Sequence, residues 1–336
     1  MEKAHYLLED PVWSKIYFHD EGLDRFMPCF AITIYFDQPL YSEVLDFFDN
    51  AFAALKPYLS YYSTGKGRIA VNKKSSEVVA SCMQKPLTDY LQSYWIKFYG
   101  CKEGASESDL EIFMKYSIFQ TPEQKEKQRK NWEMLITQGA DESILSVPSK
   151  LRVSFPITHE LTEPKKLFEW LKNLKIVKNG SFISGHAGYE VNIDEQYYTP
   201  FRDKKMEELS EKYPLLGWEE KGSFRQWDPL KKEIVPVIKR VHWMNLLGEE
   251  MTHFLGKEKL QQLEKDPKIK IHTLEKSTII QIGDKPQLIS GTTQDYENVA
   301  KILEPVQMKF SSLVGKIYRE KSEYEWKKRW LIYFNK

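Results

Sequence analysis

Apolar residues follow two spacings along the first part of the chain, and each spacing predicts one kind of element. Residues 28–36 (PCFAITIYF) form a compact run rich in β-branched and aromatic side chains, which predicts a buried strand. After a turn, the apolar residues recur at helical spacing, which predicts a helix with Ser42 as its N-cap and Pro57 at its end. The apolar face of this helix consists of Val44, Phe47, Phe48, Phe52 and Leu55.

A similar order of elements starts again in the second half. Residues 151–157 resemble a strand, Pro164 opens a predicted helix, and residues 182–191 form a strand with glycines in its middle. The order strand, helix, strand therefore occurs twice, which suggests an internal duplication, although no sequence identity supports it. Residues 243–255 are predicted to form one amphipathic helix that ends at Gly256.

These elements together predict the fold class and the domain organisation. Short strands mixed with helices, without regular βαβ alternation, indicate an α+β fold with packed helices on a mainly antiparallel sheet. A soft boundary divides an N-terminal α+β subdomain, residues 1–148, from a C-terminal α+β subdomain, residues 149–336. We expect the two to form one compact unit.

Composition and charge argue against nucleic acid and membranes as partners of this protein. The formal net charge of the 336 residues is +1, so no global field attracts nucleic acid or an anionic membrane. Lys327, Lys328 and Arg329 lie between tryptophans in an aromatic tail, which we interpret as a docked helix rather than a nucleic-acid site. The chain has three cysteines and no signal-peptide-like or membrane-spanning apolar run, so we expect a cytoplasmic protein without membrane contact.

The sequence contains few signals of catalysis or ligand binding. Its seven histidines show neither HxxxH nor HxH spacing, and no cysteine lies close to any of them, so no metal site is predicted. The nucleotide-binding glycine motifs and the GxSxG nucleophile motif are also missing from the sequence. We therefore predict no catalytic residue and no small-molecule cofactor.

One segment keeps an enzymatic alternative open. His186 lies between small residues in the sequence Gly185-His186-Ala187-Gly188, where a histidine can serve as an exposed general base of a hydrolase or a toxin-modifying enzyme. The competing interpretation, which we favour, is that the glycines allow close backbone packing and that His186 is hydrogen-bonded within a sheet.

Acidic side chains form the candidate partner-binding surface. Such residues usually line a solvated helix face or loop. Alternatively, they complement a basic partner such as the DNA-binding groove of a nuclease. The residues concerned lie in the first helix and in an acidic segment near residue 105: Glu43, Asp46, Asp49, Glu103, Glu107 and Asp109.

The C-terminal half carries a recurring series of segments. In order, they are residues 185–189 (GHAGY), 241–256 (VHWMNLLGEEMTHFLG), 279–288 (IIQIGDKPQL) and 296–306 (YENVAKILEPV). Together they resemble a type VI secretion immunity protein family, formerly catalogued as a domain of unknown function, some of whose members confer immunity to VRR-Nuc-type nuclease effectors. The matching motif residues, to which we assign structural roles, are Gly185, His186, Gly188, Trp243, Asn245, Gly248, Gly283 and Pro286.

The resemblance implies a binding protein rather than an enzyme. A member of this family is expected to bind a cognate effector toxin, here a nuclease, and to neutralise it by occluding its active site or its DNA-binding site. Ile289 and Ser290 depart from the glycine-aspartate pair that the resemblance leads us to expect after the PQL turn.

Overall fold

A computed structural model describes residues 27–38, 40–64, 69–72, 75–84, 93–100, 111–117, 149–157, 159–192, 213, 215–218, 225–228, 233–287 and 293–307. Its strands are β1 (Met27–Phe36), β2 (Leu59–Ser63), β3 (Ile69–Ala70), β4 (Ser93–Gly100), β5 (Glu111–Ser117), β6 (Ser149–Phe155), β7 (Ser184–Asn192), β8 (Gly217–Trp218), β9 (Arg225–Asp228), β10 (Glu233–Pro236), β11 (Met244–Leu247), β12 (Ile269–Thr273) and β13 (Thr278–Ile282). Its helices are α1 (Tyr41–Leu55), α2 (Ser75–Gln84), α3 (Pro164–Asn173), α4 (Lys175–Lys178), α5 (Glu249–Leu255), α6 (Lys257–Glu264) and α7 (Thr293–Leu303).

One large sheet organises the described residues. Its strand order is β12-β13-β11-β7-β1-β6-β5-β4-β2-β3, and β8 adds to β7 as a parallel strand. All neighbouring pairs in the main order are antiparallel. Strands β9 and β10 form a separate two-stranded sheet. The predicted α+β class with a mainly antiparallel sheet is confirmed.

The sheet mixes strands from both sides of residue 148. Strand β1 lies between β6 and β7, both of which come from the C-terminal half. The two strand–helix–strand units are also placed differently, because three strands separate β1 from β2, whereas only β1 separates β6 from β7. The sheet order therefore lends no support to the suggested internal duplication.

The two faces of the central strands have opposite character. On β1, Phe30, Ile32 and Ile34 point to one face and belong to the hydrophobic core. Helix α1 packs on this face, where the ring of Phe48 lies 5.0 Å from that of Phe98 in β4. Burial of each such aromatic ring stabilises the fold by about 2–3 kcal/mol. The alternate residues of β1 point to the other face, which is polar.

Two local predictions for the helices were wrong. Helix α1 begins at Tyr41 with Leu40 in the N-cap position, and the Ser42 hydroxyl donates a hydrogen bond to Glu43 rather than capping the helix. Residues 243–255 do not form one helix, because Met244–Leu247 is a buried strand between β7 and β13 and the helix begins only at Glu249. The aromatic tail from residue 308 onwards lies outside the described residues.

Candidate functional site

A row of polar side chains crosses the polar face of the sheet. Strand register places Arg152 of β6 opposite Thr33 of β1, Thr33 opposite His186 of β7, and His186 opposite Asn245 of β11. None of the four is more than 5% exposed. Buried polar groups are costly unless they are paired, and the side chains of Arg152, His186 and Asn245 have hydrogen-bond partners. The Thr33 hydroxyl has none among the described residues.

Glu190 links two members of this row. One carboxylate oxygen, Oε2, accepts a hydrogen bond from Nη1 of Arg152 at 2.5 Å, and the other, Oε1, lies 2.6 Å from Nε2 of His186. Burial by itself would raise the pKa of Glu190, but the charge of Arg152, assisted by His186 and His242, outweighs it and holds that pKa well below its ordinary value. The carboxylate is therefore ionised and paired inside the fold.

His242 completes the cluster from the segment before β11. Its imidazole ring lies parallel to that of His186, with 3.8 Å between the ring centroids and 6° between the ring planes. The side chain of Asn245 fixes the His242 backbone, because its Oδ1 accepts from the His242 N–H and its Nδ2 donates to the His242 carbonyl, both at 2.8 Å. We call His186, Glu190, His242 and Arg152 the buried cluster.

Within the described residues, His186, Glu190 and His242 are the one group of side chains that could hold a metal ion, since their ligand atoms lie within 4.8 Å of one another. The geometry fits a hydrogen-bond network better. An imidazole coordinates through a lone pair in its ring plane, so two parallel stacked rings cannot both point at one ion without turning apart. One carboxylate oxygen is also already committed to Arg152.

Sequence spacing missed this cluster. The prediction of no metal site rested on local histidine spacing, whereas the cluster assembles from β6, β7 and the residues before β11. Arg152 and Glu190 gave no signal as functional candidates. His186 contacts Glu190 of the same strand, as the favoured interpretation of a histidine hydrogen-bonded within the sheet predicts. It is only 5% exposed, so it is not the exposed base of the enzymatic alternative.

The motif glycines Gly185, Gly188 and Gly248 differ in how closely neighbouring atoms approach them. A Cβ atom at Gly185 would lie 2.7 Å from the Thr33 carbonyl oxygen, and one at Gly248 would overlap the carbonyl oxygen of Phe182. By contrast, a Cβ atom at Gly188 would make only an ordinary contact, 3.8 Å from Cβ of Trp243. Two of the three glycines are therefore required by local packing.

The remaining motif residues lie next to the buried cluster or in the turn that follows β13. Trp243 is 3% exposed, and its ring lies edge-on to that of Phe30 at 5.9 Å. Gly283 follows β13 with a φ of +70°, a backbone conformation that glycine adopts without strain. Pro286 lies partly buried just beyond this turn.

Of the acidic partner-binding candidates in α1, two are hydrogen-bonded within the fold and one is exposed. Oδ2 of Asp46 accepts a hydrogen bond from the backbone N–H of Lys175, the first residue of α4, at 2.8 Å. Oε1 of Glu43 accepts from Nδ2 of Asn179 at 3.1 Å, at the other end of α4. Asp49, in contrast, is exposed to solvent. Glu103, Glu107 and Asp109 lie outside the described residues.

A second charged group joins elements at one end of the sheet. Arg225 of β9 forms a bidentate ion pair with Glu250 of α5, at 2.7 and 2.8 Å, and its Nε donates to Asp37 just after β1. Burial alone would lower the pKa of Arg225, but the two carboxylates raise it further above its ordinary value. The group fixes strand β9, and with it the β9–β10 pair, to the end of the sheet.

Comparisons with known proteins agree with this architecture. A solved structure of the Pseudomonas aeruginosa T6SS protein PA0821 has a similar fold, with a TM-score of 0.66 and 16% sequence identity over 98% of this chain and 90% of that chain. No curated protein matches the chain significantly. In the described residues, no helix has both the length and the apolar character needed to cross a bilayer.

The fold is thus that of an α+β protein built on one broad antiparallel sheet with a buried polar layer. Residues 44–331 match the family described as type VI immunity for VRR-NUC, so the chain belongs to this family.

Proposed function

We propose that this chain neutralises the nuclease effector of a type VI secretion system by binding it directly. The observation that carries the proposal is the family match over residues 44–331, which includes every strand of the sheet except β1. An immunity protein acts where its toxin acts, and a nuclease effector attacks DNA. We therefore place the action of this chain in the cytoplasm.

Occlusion of the nuclease is the mechanism that the physical chemistry favours. A nuclease must contact the phosphate backbone through basic side chains, so its substrate groove is positively charged. A protein that covers this groove with acidic side chains and buried aromatic anchors excludes DNA, and it needs no bond-making chemistry. In this mechanism the chain uses no cofactor, membrane or nucleic acid.

An enzymatic function is the competing interpretation. The contact between His186 and Glu190 has the arrangement of a general base with an orienting carboxylate. Both side chains are buried, however, and the carboxylate is also held by Arg152. The same contacts therefore support a structural role, in which the cluster fixes β6, β7 and β11 relative to one another.

Reconstitution with purified proteins tests the proposal. The probe is the nuclease domain of a VRR-Nuc-type effector, the class named by the matched family, and its DNA cleavage is measured as the chain is titrated in. We expect cleavage to fall to background at a stoichiometric ratio, together with a stable complex in gel filtration. Unchanged cleavage at a tenfold excess would contradict the proposal. If the nuclease remains modified and inactive after this chain has been removed, the result would favour the enzymatic interpretation.

A further inference from the structure

We propose that a bound water molecule joins the hydroxyl group of Thr33 to Nδ1 of His186 on the polar face of the sheet. The two residues lie on the neighbouring strands β1 and β7. This water belongs to the buried polar layer, and its presence does not depend on the proposed function.

Three hydroxyl groups on this face are buried without a hydrogen-bond partner. Thr33, Ser154 and Ser184 are each no more than 2% exposed, and no described atom pairs with their hydroxyl oxygens. Ser154 lies two positions from Arg152 on β6, so both point to the same face as Thr33. Ser184 likewise lies two positions from His186 on β7. A buried hydroxyl without a partner is costly, and in folded proteins such groups commonly pair with buried water.

His186 supplies the second partner for a water at this position. Its Nε2 contacts the ionised carboxylate of Glu190, which can only accept hydrogen bonds, so Nε2 carries the proton and donates. In the neutral ring Nδ1 is then an acceptor, and no described residue donates to it. Thr33 lies directly opposite His186 in the strand register. Directly opposed side chains have Cβ atoms about 5 Å apart, a spacing that one water molecule with two hydrogen bonds can bridge.

Small residues leave room for this water beside Thr33 and His186. Ala31 and Gly188 are the next residues on the same face, and they lie opposite each other in β1 and β7. A Cβ atom built on Gly188 would have no described atom of another segment nearer than 3.8 Å. The site therefore combines space with polar partners, which are the two conditions for a buried water molecule.

Water suits this site better than an ion does. Arg152 and Glu190 form an ion pair, so an added cation or anion would be a buried charge without a counter-charge of its own. A water molecule is neutral and both donates and accepts hydrogen bonds. It can therefore pair with a hydroxyl group and with a ring nitrogen at the same time.

Two threonine-to-valine substitutions test this water by the sign of their effect on the thermal midpoint. Valine has nearly the shape of threonine but lacks the hydroxyl group. Thr33→Val leaves the water and Nδ1 of His186 short of a partner, so we expect the midpoint to fall by about 2 °C or more. If the Thr33 hydroxyl is instead unpaired in solution, its removal relieves a cost and the midpoint rises.

Thr278→Val is the matched control. The Thr278 hydroxyl is also fully buried and unpartnered among the described residues, but Leu247 lies opposite it and Ile280 is next on the same face. Apolar surroundings do not hold a water molecule. The midpoint of Thr278→Val should therefore stay the same or rise.

A high-resolution crystal structure of the wild-type chain gives the direct observation, and it decides the matter even if Thr33→Val fails to fold. We expect a water peak within hydrogen-bond distance of both Thr33 Oγ1 and His186 Nδ1. The proposal is overturned if this peak is missing or if the Thr33 hydroxyl bonds directly to a protein atom. Equal shifts of the midpoint for Thr33→Val and Thr278→Val would also overturn it.

Discussion

The imidazole rings of His186 and His242 lie face to face, 3.8 Å apart and within 6° of parallel. One belongs to β7, and the other precedes β11 and has its backbone held by Asn245, which lies opposite His186 in the sheet. The stack therefore joins the strand of the GHAGY segment to the strand of the WMNLLG segment. Two segments that carry the family motif thus meet at one buried point.

Removal of only one partner of the ion pair between Arg152 and Glu190 should destabilise the fold, because the other partner is left buried without its counter-charge. Arg152→Met leaves a buried carboxylate without its main counter-charge, and we expect it to reduce the free energy of unfolding by about 3–5 kcal/mol. Urea denaturation measures this loss. In the double variant Arg152→Met/Glu190→Met, no unpaired charge remains, so its loss should be smaller than the sum of the two single losses. Additive losses would show that the two residues stabilise the fold independently.

Acid should weaken the fold partly through Glu190. Its pKa in the folded protein is lowered from the ordinary value of 4.5, so its stabilising contribution is present above that value and is lost as the pH falls towards the folded pKa. Between about pH 5 and pH 3, the free energy of unfolding of the wild-type chain should therefore fall more steeply than that of Glu190→Gln. Parallel curves from urea denaturation across this range would rule out the linkage. The Gln variant should also be less stable at neutral pH, since it leaves Arg152 without its counter-charge.

The two motif glycines Gly248 and Gly188 should respond very differently to alanine. The new methyl group of Gly248→Ala would overlap the Phe182 carbonyl oxygen, so we expect a loss of about 3 kcal/mol or more. At Gly188 the methyl group meets only Trp243 at 3.8 Å, and the loss should stay below about 1 kcal/mol. Thermal unfolding of both variants checks the contrast, and equal midpoints would disprove it.

Asp46 and Asp49 should also differ in their effect on stability. Removal of the Asp46 carboxylate leaves the Lys175 N–H without its acceptor at the start of α4, so Asp46→Ala should cost about 1 kcal/mol. Asp49→Ala removes an exposed carboxylate near Asp46 and should change stability by less than about 0.5 kcal/mol. Chemical denaturation at neutral pH distinguishes the two. A larger loss for Asp49 would mean that Asp49 has a structural role.

The incorrect prediction of one helix over residues 243–255 shows where the local pattern misleads. Trp243, Leu247 and Met251 recur at a helical interval, and Gly256 suits a helix end. Yet Met244–Leu247 is buried on both faces, and a fully buried strand has no polar face to produce a period of two. Its pairing with β7 and β13 decided the structure, and the sequence of the segment alone contains no information about those neighbours.

Local sequence by itself determined α1, β1, α3 and the antiparallel α+β class, because amphipathic spacing and β-branched runs select these elements through nearby residues. It also fixed the family, through motif segments that keep their order along the chain. Only the tertiary structure decided that Arg152, Glu190, His186 and His242 meet, since sheet register brings together residues that are far apart in sequence. The same holds for the acids of α1: the docking of α4 engages Glu43 and Asp46 and leaves Asp49 facing solvent.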